Sequence, residues 1–554
     1  GPGNPNNVLF LSPNEDQKIL APGYGANGVE TQFTDDNYVT NPYFAAYKFS
    51  SNTSRERLIT SASAKYNFTP WLFAQLRLGY DVINDKRIDI TPTGTGYNAQ
   101  GNMSQSNGKI TEQNTDILIG AKHDLVKNLL NLDLSVGGNI RKAGDEGTRI
   151  YGQNNFIIPY FYSLSNFSGR SADVPYFHSR QTNSAYYTAD FAIKDFLVLS
   201  TTGRYDAYST LPANNRGIFT PSVSGSFIFS DLYHINGLDL GKIRLSYAQT
   251  SGEPATPYSD AVYYSLANSI NGTPAASFNS TLPNLFLKPY TLTEVEAGTE
   301  MKFWGNRFGF DIAYFARKTK NEITQASLDI SSGYNSYYVA SGSTQNRGVE
   351  VEVHGTPVKT SDFSWTPAFN FTYVKNKILK TDANDANIGL GTYRPFNANL
   401  AFVPGLPGPQ VMASDYLRNA AGQIVFDAQG LPQGGPRKPM GSTVPKFYGG
   451  FNNDFSYKGF NLSFLIDYRY GNKILSATSY YSTLRGLNKI TLPGRETGVV
   501  GQGVDATGAP NTINVDAQTY YQKLARQVSA LDVLDGSFIK LRQVSFGYTI
   551  PKTL

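Results

Sequence analysis

The sequence predicts an all-β chain, a transmembrane antiparallel β-barrel. Two observations carry that prediction. Strands show apolar residues at every second position, and short turns alternate with long loops along the chain. In Phe460-Asn461-Leu462-Ser463-Phe464-Leu465-Ile466-Asp467-Tyr468-Arg469-Tyr470 the even positions are apolar or aromatic and the odd positions mostly polar. Ten steps of about 3.3 Å, tilted by about 40°, rise roughly 25 Å, the height of the apolar band on an outer-membrane barrel. Aromatic residues stand at both ends of the run, where interfacial girdles belong.

Composition agrees. The 554 residues include 52 Gly, 37 Tyr and 34 Phe, and only 16% are charged, a balance that suits strands, turns and interfacial aromatics. No apolar run approaches the roughly 18 residues of a spanning helix, but a barrel strand needs only alternate apolar positions. Without cysteine the chain has no disulfide, thiolate metal site or cysteine nucleophile. A net charge of +5 that clusters nowhere argues against a nucleic-acid partner.

Taken in order, residues 1–55 read as an extracellular loop region and residues 56–554 as barrel, with about fifteen strands. They are Glu56–Phe68, Leu72–Ile83, Thr111–Asp124, Leu130–Arg141, Thr182–Ile193, Leu197–Tyr208, Ile218–Phe229 and Lys242–Thr250. Then come Thr293–Phe303, Phe308–Ile323, Asn346–Gly355, Phe363–Leu379, Val444–Tyr457, Phe460–Leu475 and Ser537–Ile550. Trp304-Gly305-Asn306-Arg307 carries a two-residue hairpin signal. Short turns fall at one end of the strands and long loops at the other, the parity of outer-membrane barrels. Thr381–Thr443 and Ser476–Gly536 exceed ordinary loop lengths, so they should carry function, small helices, or both.

Alternation alone does not say which face is outside, but a barrel of this many strands encloses more than one row of side chains can fill. The apolar face therefore looks to lipid and the charged face lines a lumen. That lumen set is Arg77, Asp81, Asp133, Arg141, Glu294, Glu296, Glu300, Asp311, Arg317, Glu350 and Glu352. In the last strand the outward row Val544, Phe546, Tyr548 and Ile550 leads upstream to Arg542 and Lys540, so a bulge near Gln543, or emergence from the bilayer, is expected.

The loops hold a second set: Tyr151, Phe156, Tyr160, Phe161, Tyr162, Tyr263, Tyr264, Tyr337, Tyr338, Tyr480 and Tyr481. Aromatic platforms suit the apolar faces of sugar rings, and peptides use them too. Catalytic chemistry has no support. His123, His178, His234 and His354 are scattered without metal-ligand spacing, and no nucleophile elbow is present. Gly23-Tyr24-Gly25-Ala26-Asn27-Gly28 lacks the strand and helix of a dinucleotide site and reads as a loop. Asp382-Ala383-Asn384-Asp385 lacks EF-hand spacing and reads as a solvated turn. Calcium, in the extracellular loops or on a lid partner, is the only cofactor the sequence leaves open.

Several segments resemble the SusC-like branch of TonB-dependent outer-membrane transporters. The nearest are Asp535-Gly536-Ser537-Phe538-Ile539-Lys540-Leu541-Arg542 and Arg347-Gly348-Val349-Glu350-Val351-Glu352-Val353-His354-Gly355-Thr356-Pro357. Asn370-Phe371-Thr372-Tyr373-Val374-Lys375-Asn376-Lys377 and Lys446-Phe447-Tyr448-Gly449-Gly450-Phe451 follow in the family's order. The resemblance implies a barrel of about 22 strands around a plug, of which this sequence covers roughly strands 6 to 20, so it is expected to be a piece of a longer protein. It also implies energised import of an oligomeric glycan or peptide. The implied partners are a SusD-like lipoprotein lid, TonB acting through the plug, and outer-membrane lipid. A passive porin, a siderophore-type receptor and a soluble β-rich glycan-binding protein are the rival readings.

Overall fold

The computed structural model describes the whole chain except residues 1–4, 12–13, 153–154, 170–171, 255–256, 262–263, 271–272, 383, 393–395 and 551–554. Fifteen long strands follow one another antiparallel in one sheet, to which three short strands attach. They are β1 Ser50–Asn67, β2 Leu72–Thr91, β3 Asn102–Val126, β4 Leu130–Tyr151, β5 Ala172–Ile193, β6 Leu197–Tyr208, β7 Gly217–Ile228 and β8 Leu238–Gly252. The series continues with β9 Tyr290–Phe303, β10 Phe308–Lys320, β11 Ser336–Gly355, β12 Phe363–Lys380, β13 Phe447–Tyr457, β14 Phe460–Tyr470 and β15 Phe538–Tyr548. Each pairs with its neighbour in the chain, so every connection is a hairpin.

Register decides the faces, because residues directly opposite in an antiparallel pair share a side. Leu76, Ile117 and Val136 fall on one side, and so do Leu245, Val295 and Ile312. All six are exposed. An apolar face this wide far exceeds the few hundred Å² that water-facing surfaces carry, so it is built to meet lipid. The eleven predicted charged residues all occupy the opposite face.

Three sequence expectations are corrected, and the bulge expected near Gln543 is found. Strands β2, β3, β4 and β5 run on past the predicted ends, and β3 reaches 25 residues, roughly 60 Å of height at ordinary rise and tilt. Many of the added residues are polar on both faces, such as Asn84 and Lys86 on one and Asp85 and Arg87 on the other, while Ile88, Ile90 and Met103 form an apolar cluster with the next loop. In the β9–β10 connection Phe303 pairs with Phe308, leaving a four-residue turn in which Trp304, Gly305 and Asn306 all have positive φ. The predicted strand Phe460–Leu475 divides, since Lys473–Leu475 leaves the wall to pair with Val533–Asp535. On β15 the register shifts, leaving Arg542 as the extra residue of a bulge. Its guanidinium turns to Asp467, and Leu541 and Ile539 take over the apolar row.

The two longest loops are folded. Residues 381–446 hold a four-stranded sheet, Ile388–Thr392, Ala398–Phe402, Gln410–Tyr416 and Gly434–Ser442. Residues 471–537 hold helices α2 Ala477–Leu484 and α3 Ala517–Gln527, and α1 Pro42–Lys48 precedes the wall. Asn41 caps α1, accepting from the N–H groups of Tyr43 and Phe44. Ser476 and Asp516 cap α2 and α3 in the same way.

Candidate functional site: lumen wall and extracellular cap

On the charged face most of the predicted groups meet partners on neighbouring strands. Arg77 binds Asp116 at 2.8 Å, and the Tyr186 hydroxyl donates to the other Asp116 oxygen. Arg57 meets Asp81 at 2.5 Å and Arg141 meets Glu112 at 2.6 Å. Arg244 forks onto Asp311 at 2.6 and 2.7 Å and reaches Glu296 at 3.2 Å. Arg317 holds both oxygens of Glu294, and Glu300 lies between Lys242 and Lys302. Asp133 lies 3.9 Å from Lys122 and Glu352 is 3.5 Å from His354. Glu350 faces Ala313 and Thr372 in register. The wall thus balances most of its own charge through forked, charge-assisted pairs.

Arg57, Glu112, Asp116 and Arg244, four of the partners, were missed in the sequence reading. Alternation would have found them, since Arg244 shares its parity with Lys242 and Ser246.

The predicted loop aromatics divide. Phe156 is buried and stacks on Phe167 at 4.3 Å, with Tyr162 edge-on, so these rings build their loop. Tyr160 is half-exposed and its hydroxyl donates to the Asn27 carbonyl, while Phe161 is exposed. Tyr151, Tyr337 and Tyr338 lie on strand extensions rather than loops, and Tyr338 packs beside buried Tyr208, Leu211 and Leu287. Tyr264 begins a loop hairpin and is exposed, and Tyr263 lies outside the described residues. Tyr480 is buried and packs against Phe396, and Tyr481 packs on Phe10 with ring centroids 4.9 Å apart.

Above the wall the two longest loops share one core. Phe426 from the first meets Tyr520, Tyr521, Leu524 and Val528 from the second. Burial pushes the Tyr520 phenol up to about 12. The Ser529 hydroxyl accepts from the Ser414 N–H at 3.0 Å and donates to the Asn397 carbonyl at 2.7 Å, stitching the loops together. Asp532, 2% exposed, has its carboxyl raised by burial to about 6. The N-terminal segment meets the second of them through Phe10, and its Glu30 accepts from the N–H groups of Asn41, in the same segment, and of Gly96, between β2 and β3, at 2.6 and 2.7 Å. Burial raises the Glu30 carboxyl against the pull of those two donors. Gly23–Gly28 forms a turn closed by the Tyr24–Glu30 bridge. Asp382 accepts from the N–H groups of Asn384 and Ala386, as a turn does.

A family model described as TonB dependent receptor-like, beta-barrel matches residues 3–422. The chain belongs to this family. Its place is therefore the outer membrane, with the apolar face toward lipid and the charged face toward the lumen. TonB-dependent receptor P3 of Formosa agariphila is 23% identical over 96% of this chain and 54% of its own length. TonB-dependent receptor SusC of Bacteroides thetaiotaomicron is 22% identical over 58% of this chain and 32% of its own. The chain spans about half the length, or less, of the curated relatives it matches. Among solved structures, that of the RagAB peptide transporter superposes with a TM-score of 0.74 and 18% identity, covering 96% of this chain and 60% of the other. Its closed-closed state gives a TM-score of 0.75.

Proposed function

We propose that this chain forms barrel wall and extracellular face of a receptor that imports an oligomeric nutrient, a glycan or a peptide, energised through TonB. A SusD-like surface lipoprotein acts as its lid. The observation that carries the reading is the joint fold of residues 381–446 and 471–537 above one end of the strands. Loops of that length with their own sheet, helices and shared core exceed what joining hairpins requires, and such loops carry function. One similar structure is that of a peptide transporter, which supports an oligomeric cargo.

The wall pairs fit this reading. Arg244 and Arg317 hold carboxylates in geometries that water or a plug side chain can replace bond for bond. The lumen charges then give a plug a face on which contacts break and reform.

Removing the full-length receptor should abolish growth on the nutrient at limiting concentration and spare growth on small sugars or amino acids. An affinity-tagged receptor should bring down a lipoprotein encoded beside it. Normal uptake in the deletion strain would refute import.

A further inference from the structure

Where α2, α3 and the N-terminal segment meet, they enclose a cleft of about 620 Å³, within the range of roughly 300–1,000 Å³ typical of small-molecule sites. Arg485, at the C-cap of α2, lines it. Its guanidinium lies 4.5 Å from the Phe10 ring centroid, and its Nε is buried with no hydrogen-bond partner. Arg495, on the same wall, donates to the Thr491 and Gly486 carbonyls and the Thr491 hydroxyl, all uncharged. The carboxylate on the lining, Asp516, is turned to the Thr519 N–H as a helix cap. Two guanidinium groups therefore share one cleft with no ion-pair partner among the described residues, whereas arginines of the wall such as Arg77, Arg244 and Arg317 meet carboxylates.

We propose that this cleft is a subsite for a carboxylate-bearing sugar of an acidic oligosaccharide. This rests on the import reading and narrows its cargo. A carboxylate matches the guanidinium fork. Gln518 and Gln522 line the cleft beside it and offer amide groups to sugar hydroxyls. The walls here are helices and turns, so they give a peptide no strand edge to pair along, and an acidic peptide held through its carboxylates alone is the alternative that tri-glutamate tests.

The test uses the full-length receptor in detergent and calorimetric titration with three probes: tri-galacturonate, a neutral trisaccharide and tri-glutamate. Tri-galacturonate should bind at least tenfold more tightly than the neutral trisaccharide, and added salt should weaken it. Arg485→Gln should lose tenfold or more, and Arg485→Lys should recover part of it. Gln518→Glu places a carboxylate beside the cleft in the first turn of α3, where helix polarity favours it. It should fold normally and still lose binding. Equal binding of the acidic and neutral sugars, or unchanged binding in both Arg485→Gln and Gln518→Glu, would overturn the subsite. Tighter binding of tri-glutamate would overturn the choice of a glycan. Because uptake by the wild-type strain is scored separately, failure of this subsite leaves import standing or falling on its own result.

Discussion

From β1 to β5 the wall rises above the membrane as strands. Over β13–β15 the wall strands are 11 residues long, and the height is regained by the folded loops before them. The two solutions rest on different physics. In the tall wall each added residue extends the backbone ladder, and apart from a small cluster of Ile88, Ile90 and Met103 under the neighbouring loop most of the added side chains are polar and wet. In the cap, apolar rings are taken out of water at about 25 cal/mol per Å². The tall wall should therefore resist local change, and the cap should hinge on a few buried side chains.

The largest effect is expected at Phe426, 1% exposed in the shared core. Phe426→Ala should cost about 3–5 kcal/mol, confined to the cap. Limited proteolysis should then cut within residues 381–446 and 471–537 while the barrel keeps its heat-modifiable migration. Loss of the barrel together with the cap would show that the two are one cooperative unit.

Next is the membrane-height wall. Leu134→Arg should cost about 2–4 kcal/mol near the midplane, while Asp133→Lys, one residue away on the lumen face, should be tolerated. Folded receptor in the membrane fraction is the measurement, and the reverse ranking would exchange the two faces.

Asp532 contributes a pH dependence to the cap, and Glu30, also raised by burial, adds in the same direction. Its carboxyl titrates near 6 when folded, above an unfolded value of about 3.9, so the folded cap favours the protonated form. That contribution is complete below about pH 4 and is lost as pH rises through 6, on the order of 3 kcal/mol in all. Protection of α2 and α3 from hydrogen exchange should fall between pH 5 and pH 7.5. Asp532→Asn should flatten the change, and an unaltered profile would remove Asp532 as its cause.

The same contrast explains what the sequence made legible. Alternation exists only where one face meets lipid and the other water, so β14 and the lower part of β4 could be read residue by residue. Above the bilayer that difference disappears, and Lys86 and Asn107 look like loop although they lie in strands. The bulge at Arg542 was foreseeable because the apolar row there changes parity. The cap was legible only as excess length. Its core joins Phe426 to Leu524 and Val528 across about a hundred residues of sequence, and no local period records such a pairing. Arg485 went unnoticed for the same reason, since its isolation appears only once Phe10 and α3 are brought beside it.

The smallest effect is predicted in the tall wall. Arg55 and Asp85, opposite each other on β1 and β2, form a forked pair at 2.6 and 2.7 Å. Both lie in the part of the strands wet on both faces, where ion pairs are screened and add little. Asp85→Asn keeps the shape and the backbone ladder but removes the charge. Hydrogen-exchange protection of residues 50–56 and 84–91 should stay as in the wild type, and so should the temperature at which the barrel loses heat-modifiable migration. If the upper ladder opens instead, side-chain ion pairs hold the tall wall, and it depends on particular residues as much as the cap does.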